Sequence, residues 1–134
     1  MFDKLKKKIE AKIEKECKPL EYYVDNELTY KELMIENHSR HWKWIMWRTI
    51  RDRCKEYKSS YFTEYDIDDI EAKCFLCEYV KQERLGLCAR CPMKWKICGE
   101  QNSLFQRWYL CGYSKWIKSA YYAWRISKVK EKKE

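Results

Sequence analysis

Apolar positions recur at helical spacing along three stretches of the chain. Phe2, Leu5, Ile9, Ile13 and Cys17 stand three or four residues apart, on one stripe with the lysines outside it, and Pro19 closes the stretch. This predicts an amphipathic helix within residues 1–18, packed on a core, with a membrane surface or a partner as the alternative cover. A second helix is predicted from Thr29 to about Tyr57, inside a central segment of residues 28–57. The Thr29 hydroxyl can cap the Glu32 amide while the Glu32 carboxylate reaches back. Along it Trp42, Ile45, Met46, Ile50, Cys54 and Tyr57 share one face, and Trp44, Trp47 and Arg51 share another. Two apolar faces predict burial on two sides or one exposed face. A third helix is predicted from Ser103, capped through Gln106, to about Val129, its stripe formed by Phe105, Trp108, Tyr109, Gly112, Trp116, Ala120 and Trp124. Gly112 would let a neighbouring backbone approach. With its basic tail this segment covers residues 103–130. Residues 58–73 show no period and read as a loop or one short strand.

Three glycines and two prolines leave few turn signals for a fold of many short strands. The length of 134 residues suits one core. The expected fold is therefore mainly α: a single domain over residues 1–134, about three long helices with a cysteine knuckle inserted at residues 74–98. No window reaches the apolar length of a membrane span, and the N-terminus mixes acids with lysines, unlike a secretory signal. A cytoplasmic protein with reduced thiols is expected.

The inserted stretch, CFLCEYVKQERLGLCARCPMKWKIC, holds five of the eight cysteines. Cys74 and Cys77 form one C-x-x-C pair and Cys88 and Cys91 another, ten residues on. Each such turn offers two thiolates to one ion while its backbone N–H groups bond the sulfurs, and two pairs close a tetrahedral zinc shell. Cys98 is an alternative fourth ligand or a buried thiol. A redox C-x-x-C does not explain two pairs so close together, and the spacing matches neither usual ferredoxin pattern. A closed four-thiolate shell leaves no position for water, so Zn²⁺ here would be structural. Cys17, Cys54 and Cys111 lie on helical stripes and read as core. His38 and His41, one turn apart, read as histidines at the rim of the core, with a second metal site as the alternative. The acids from Glu64 to Glu71 lack the glycine and later Glu of a calcium loop and read as a solvated face.

The net charge of +8 is clustered in residues 1–18, 40–58 and 115–134. Within HWKWIMWR, Lys43 and Arg48 alternate with Trp44 and Trp47, a composition suited to base stacking and phosphate contact. Together with Arg51, Lys94, Lys96, Lys128 and Lys130 these are the candidate partner-binding residues. No nucleophile elbow, phosphate-cradling glycine loop or zinc-protease motif occurs, so an enzyme is not expected. Two readings follow: a protein-binding factor with Trp and Tyr as anchors, and a nucleic-acid or nucleotide-binding module.

AKCFLCEYV, then CARCPMKW, then Cys98, preceded by HSRHWKWIMW, resembles a group of small cysteine-rich proteins encoded by bacteriophages of Gram-positive hosts. The likeness spans about residues 38 to 112. It implies phage origin, a metal knuckle and the host cytoplasm. With it, the favoured expectation is a binding protein acting on a host protein complex, as an inhibitor of host defence or transcription.

Overall fold

The computed structural model describes residues 2–20, 28–68, 74–82, 103–112 and 114–129. Within them the chain is mainly helical and contains no strand. Its helices are α1 (Phe2–Glu16), α2 (Tyr30–Asp52), α3 (Ser60–Glu64), α4 (Phe75–Gln82), α5 (Leu104–Leu110) and α6 (Trp116–Ser127).

The predicted capping box at the start of α2 is formed: Glu32 N–H donates to Thr29 Oγ1 at 3.2 Å and Thr29 N–H to Glu32 Oε1 at 3.1 Å. Two orphan amides are thereby satisfied. The helix stops at Asp52, short of Tyr57, because Arg53 turns into the left-handed region at φ 51°. Cys54 is consequently exposed, not core.

α2 is the hub, with α1, α3, α4 and α6 packed around it and α5 packed on α6. Both of its predicted apolar faces are covered. Trp44 meets Tyr61 of α3 at 5.4 Å between ring centroids, and Trp42 meets Trp108 of α5 edge-on at 4.9 Å. Such edge-to-face pairs suit the ring quadrupoles. Ile9, Ile13 and Cys17 of the first stripe are buried as predicted, whereas Leu5 is exposed. The chain leaving α1 is pinned to α2 by Asn37, whose amide exchanges hydrogen bonds with Leu20 N–H and C=O at 2.7 and 3.0 Å. Arg40 adds a bond to the Lys18 carbonyl at 3.1 Å.

Two elements differ from the periodicity. Residues 60–64 form a short helix instead of a loop or strand, since Tyr61 and Phe62 are drawn into the core against His41. The predicted third helix is two helices. α5 ends at Cys111, where the Lys55 ammonium donates to the carbonyls of Trp108, Tyr109 and Cys111 at 2.8, 2.9 and 3.0 Å. The Trp108 carbonyl also accepts the Cys111 N–H at 3.2 Å, and Lys55 adds a charged donor to all three carbonyls at the helix end, so it makes the stop favourable. A Cβ at Gly112 would meet nothing within 4 Å among the described residues, so no close backbone approach is seen there.

α6 runs antiparallel to α2, with Ser39 Oγ donating to the Ser127 carbonyl at 2.9 Å. Its buried stripe is Ser119, Ala120, Ala123, Ile126 and Ser127. Small residues let the two helices approach, and Trp124, on the predicted apolar stripe, is left 43% exposed.

Trp44→Ala should lower stability by about 3–5 kcal/mol, read as a shifted midpoint in urea unfolding. A shift no larger than that of an exposed Trp would contradict its place in the core.

Candidate functional site

The cysteine pair lies at the start of α4. Phe75 and Leu76 are buried and fasten this helix to the core, the Phe75 ring lying 6.0 Å from that of His41. Anchoring those two residues leaves Cys74 and Cys77 partly exposed. The Cys77 thiol hydrogen-bonds Cys74, and the backbone N–H groups of Cys77 and Leu76 are directed at the Cys74 sulfur. The Cys77 thiol bond, these N–H groups and the Lys58 ammonium hold the Cys74 thiol well below its usual value, against burial. Two soft donors side by side, with N–H groups bonding sulfur, match one half of a four-thiolate zinc shell. Among the described residues no group of three or more His, Cys, Asp or Glu is assembled for a metal. Cys88, Cys91 and Cys98 lie outside the described residues, as do Lys94, Lys96 and Lys130.

His38 and His41 sit in the core, each 1% exposed, not at its rim. His41 Nε2 lies 2.7 Å from the Lys58 carbonyl, and its ring stacks on Tyr61 at 4.8 Å. Burial pushes the pKa of each histidine down to about 3, helped by the nearby Lys58 ammonium. Both are therefore neutral at physiological pH. Cys17 is fully buried, whereas Cys111 is only partly so.

The predicted partner residues are separated by the fold. Trp44 is 1% exposed and stands as a core residue, with the Arg48 guanidinium 4.7 Å above its ring; it cannot serve as a surface contact. Arg48 is ringed by carboxylates, with Glu56 at 3.6 Å, Asp52 at 3.9 Å and Glu64 at 4.0 Å. Arg51 grips both oxygens of Asp52 at 2.9 and 3.1 Å and holds that carboxyl below its ordinary range. Trp47 is partly buried beneath the Lys12 ammonium, and Lys43 is half-buried. Lys128 is exposed at the end of α6.

Two concavities lie among the described residues. The first, of about 400 Å³, is an apolar groove between α2 and α6 lined by Met46, Ile50, Trp116, Ile117, Ala120, Tyr121 and Trp124. Ile117 is 68% and Tyr121 51% exposed, so this face presents large apolar side chains to solvent. Helical spacing did place Trp116, Ala120 and Trp124 on one stripe. Nothing in the spacing marked Ile117 and Tyr121, one turn apart, as the outward partners of that stripe. The second concavity, of about 680 Å³, lies between the turn after α2 and the outer side of α5, where Lys55, Lys58, Phe105, Trp108 and Tyr109 meet. No helix among the described residues is long and apolar enough to cross a membrane.

Comparison with family models, with curated proteins and with solved structures finds no match for the chain.

Stability should fall as the pH drops below about 6.5. From there to about pH 3 the unfolded chain protonates His38 and His41 while the folded chain does not, so protons favour unfolding. The check is the melting temperature between pH 7 and pH 4. Relative to the parent, a His38→Gln variant that still folds should lose less stability across that window; an equal loss would contradict the assignment.

Proposed function

We propose that the chain is a small zinc-stabilised protein-binding module, and that the groove between α2 and α6 receives an apolar segment of a partner protein flanked by acidic residues. The exposed set of Ile117, Tyr121 and Trp124 over the floor of Met46 and Ala120 carries this reading. Large amphipathic side chains around a pocket are what anchor protein interfaces.

Charge selects the chemistry of the partner. From Ser103 to Lys130 there is no Asp or Glu, while Arg107, Lys115, Lys118, Arg125, Lys128 and Lys130 are all basic. A segment with carboxylates beside its apolar anchors is attracted to such a face, whereas a second copy of the chain would set like charge against like. The nucleic-acid alternative is weakened on the other side of α2. Arg48 and Arg51 of the HWKWIMWR region are already matched by Asp52, Glu56, Glu64 and Glu10, which leaves less charge to displace counterions from a phosphate backbone.

The zinc part of the reading is supported by the bite of Cys74 and Cys77, with two of Cys88, Cys91 and Cys98 as the remaining ligands. The ion would supply folding free energy to the segment after α4 and no chemistry. A host defence or transcription complex as the target, and phage origin, rest on the resemblance of the cysteine pattern.

The binding reading is tested by exposing the immobilised chain to a bacterial lysate, identifying what is retained, and remaking its bound segment as a peptide. A single protein whose acidic, apolar peptide binds at about 0.2 M salt is expected. The Tyr121→Ala/Trp124→Ala variant should weaken that peptide about tenfold or more without lowering the melting temperature, because both side chains are exposed. Peptide affinity unchanged in the variant, or retention only of nucleic acid that is lost steeply with salt, would sink the proposal.

For the metal, purified chain should carry about one zinc ion, and Cys74→Ser and Cys77→Ser should each abolish it and lower the melting temperature. Elemental analysis showing the same metal content in parent and variants would refute this part alone.

A further inference from the structure

The cavity beside α5 has a chemistry that the protein-binding groove does not use. Its wall is aromatic: the rings of Phe105 and Tyr109 are nearly parallel at 6.1 Å between centroids, and Phe105 lies 5.9 Å from Trp108. Parallel rings on an open wall present π faces to a flat ligand. The remaining groups are mostly donors and cations. The Lys58 ammonium stands 5.0 Å from the Phe105 ring, and among the described residues no carboxylate pairs with it. Lys55 lies 4.5 Å over the Trp108 ring, with all three of its N–H donors taken by the α5 carbonyls, so it acts as a fixed charge and not as a contact. Trp108 is 4% exposed, and its indole N–H, buried, has no acceptor among the described residues.

Among the described residues one acid faces the cavity, Glu56. Its carboxylate accepts the Tyr57 N–H at 2.9 Å and lies 3.6 Å from Arg48, so its charge is countered locally. At about 680 Å³ the space is within the usual range for small-molecule sites, and it exceeds what a lone inorganic anion needs.

From the aromatic wall and the Lys58 ammonium beside it, we infer that this cavity binds a planar ring bearing an anionic group, of the size and chemistry of a nucleoside monophosphate. The ring stacks on Phe105 and Tyr109, and the anion lies toward Lys58 with Lys55 adding to the field. The same chemistry is offered by a free nucleotide and by one unit of a single-stranded nucleic acid. The inference does not depend on the groove between α2 and α6, which is lined by a separate set of residues.

Isothermal titration of the full chain with AMP, GMP, CMP and UMP, each up to millimolar concentration, tests it, with adenosine and inorganic phosphate as controls. At least one monophosphate should bind, about tenfold or more tighter than adenosine and than phosphate. Lys58→Gln and Tyr109→Ala should each weaken it about tenfold while leaving the melting temperature unchanged, since the Lys58 carbonyl bond to His41 is made by the backbone and Tyr109 is 61% exposed. A tetranucleotide that binds more tightly than its monophosphate assigns the source to nucleic acid, and the reverse assigns it to the free nucleotide; either supports the site. No heat from any of the four, adenosine binding as tightly as AMP, or affinity indifferent to Lys58→Gln and Tyr109→Ala would each overturn it.

Discussion

A helix with large aromatic side chains on opposite sides has to be covered on both, and α2 imposes that requirement on everything else. Trp44 and His41 point toward Tyr61, Phe62 and Phe75, and so demand α3 and α4; Trp42 demands the rings of α5. Burying an aromatic side chain contributes on the order of 2–3 kcal/mol. The short helices α3 and α4, marginal alone, thus become stable by docking on α2. The same demand brings two histidines out of water, and they stay neutral because burial penalises the charged form.

The surface concavities arise where this covering stops. Along α6 the inner stripe of Ala and Ser brings the backbone close to α2, so the bulky residues on either flank are left to form the rim of a groove. Beside α5, Lys55 serves two ends at once: it terminates the helix by bonding its carbonyls, and it holds a cation against the aromatic wall of a cavity. Its ammonium is partly desolvated there, which pulls its pKa below the usual lysine value, with the nearby Cys111 opposing the shift.

Together these features describe a basic, aromatic-rich helical scaffold with two chemically different faces. The groove is nearly devoid of polar groups and suits apolar anchors. The cavity is rich in donors and suits an acceptor-bearing anion. The charge of Arg48 in HWKWIMWR, and of Arg51 just beyond it, which in the sequence looks available to phosphate, is met inside the protein by Asp52, Glu56 and Glu64 and by Glu10 and Asp52 respectively. Opposite charges close in space interact more strongly than either does with screened solvent ions, so local pairing takes precedence.

The sequence by itself determined the mainly helical class, the positions of α1 and α2, the Thr29 capping box and the turn that sets Cys74 beside Cys77. All of these depend on residues within a few positions of one another, which periodicity and spacing read directly. Tertiary structure alone decided that Trp44 is inside while Trp124, Tyr121 and Ile117 are outside, that Tyr61 and Phe62 nucleate a helix, and that the third helix breaks at Cys111. A helical stripe states which residues share a face but not which face is covered, and coverage depends on partners far away in the chain. Lys55 and the Trp108 carbonyl, 53 residues apart, are 2.8 Å apart in space, and no local pattern encodes that contact.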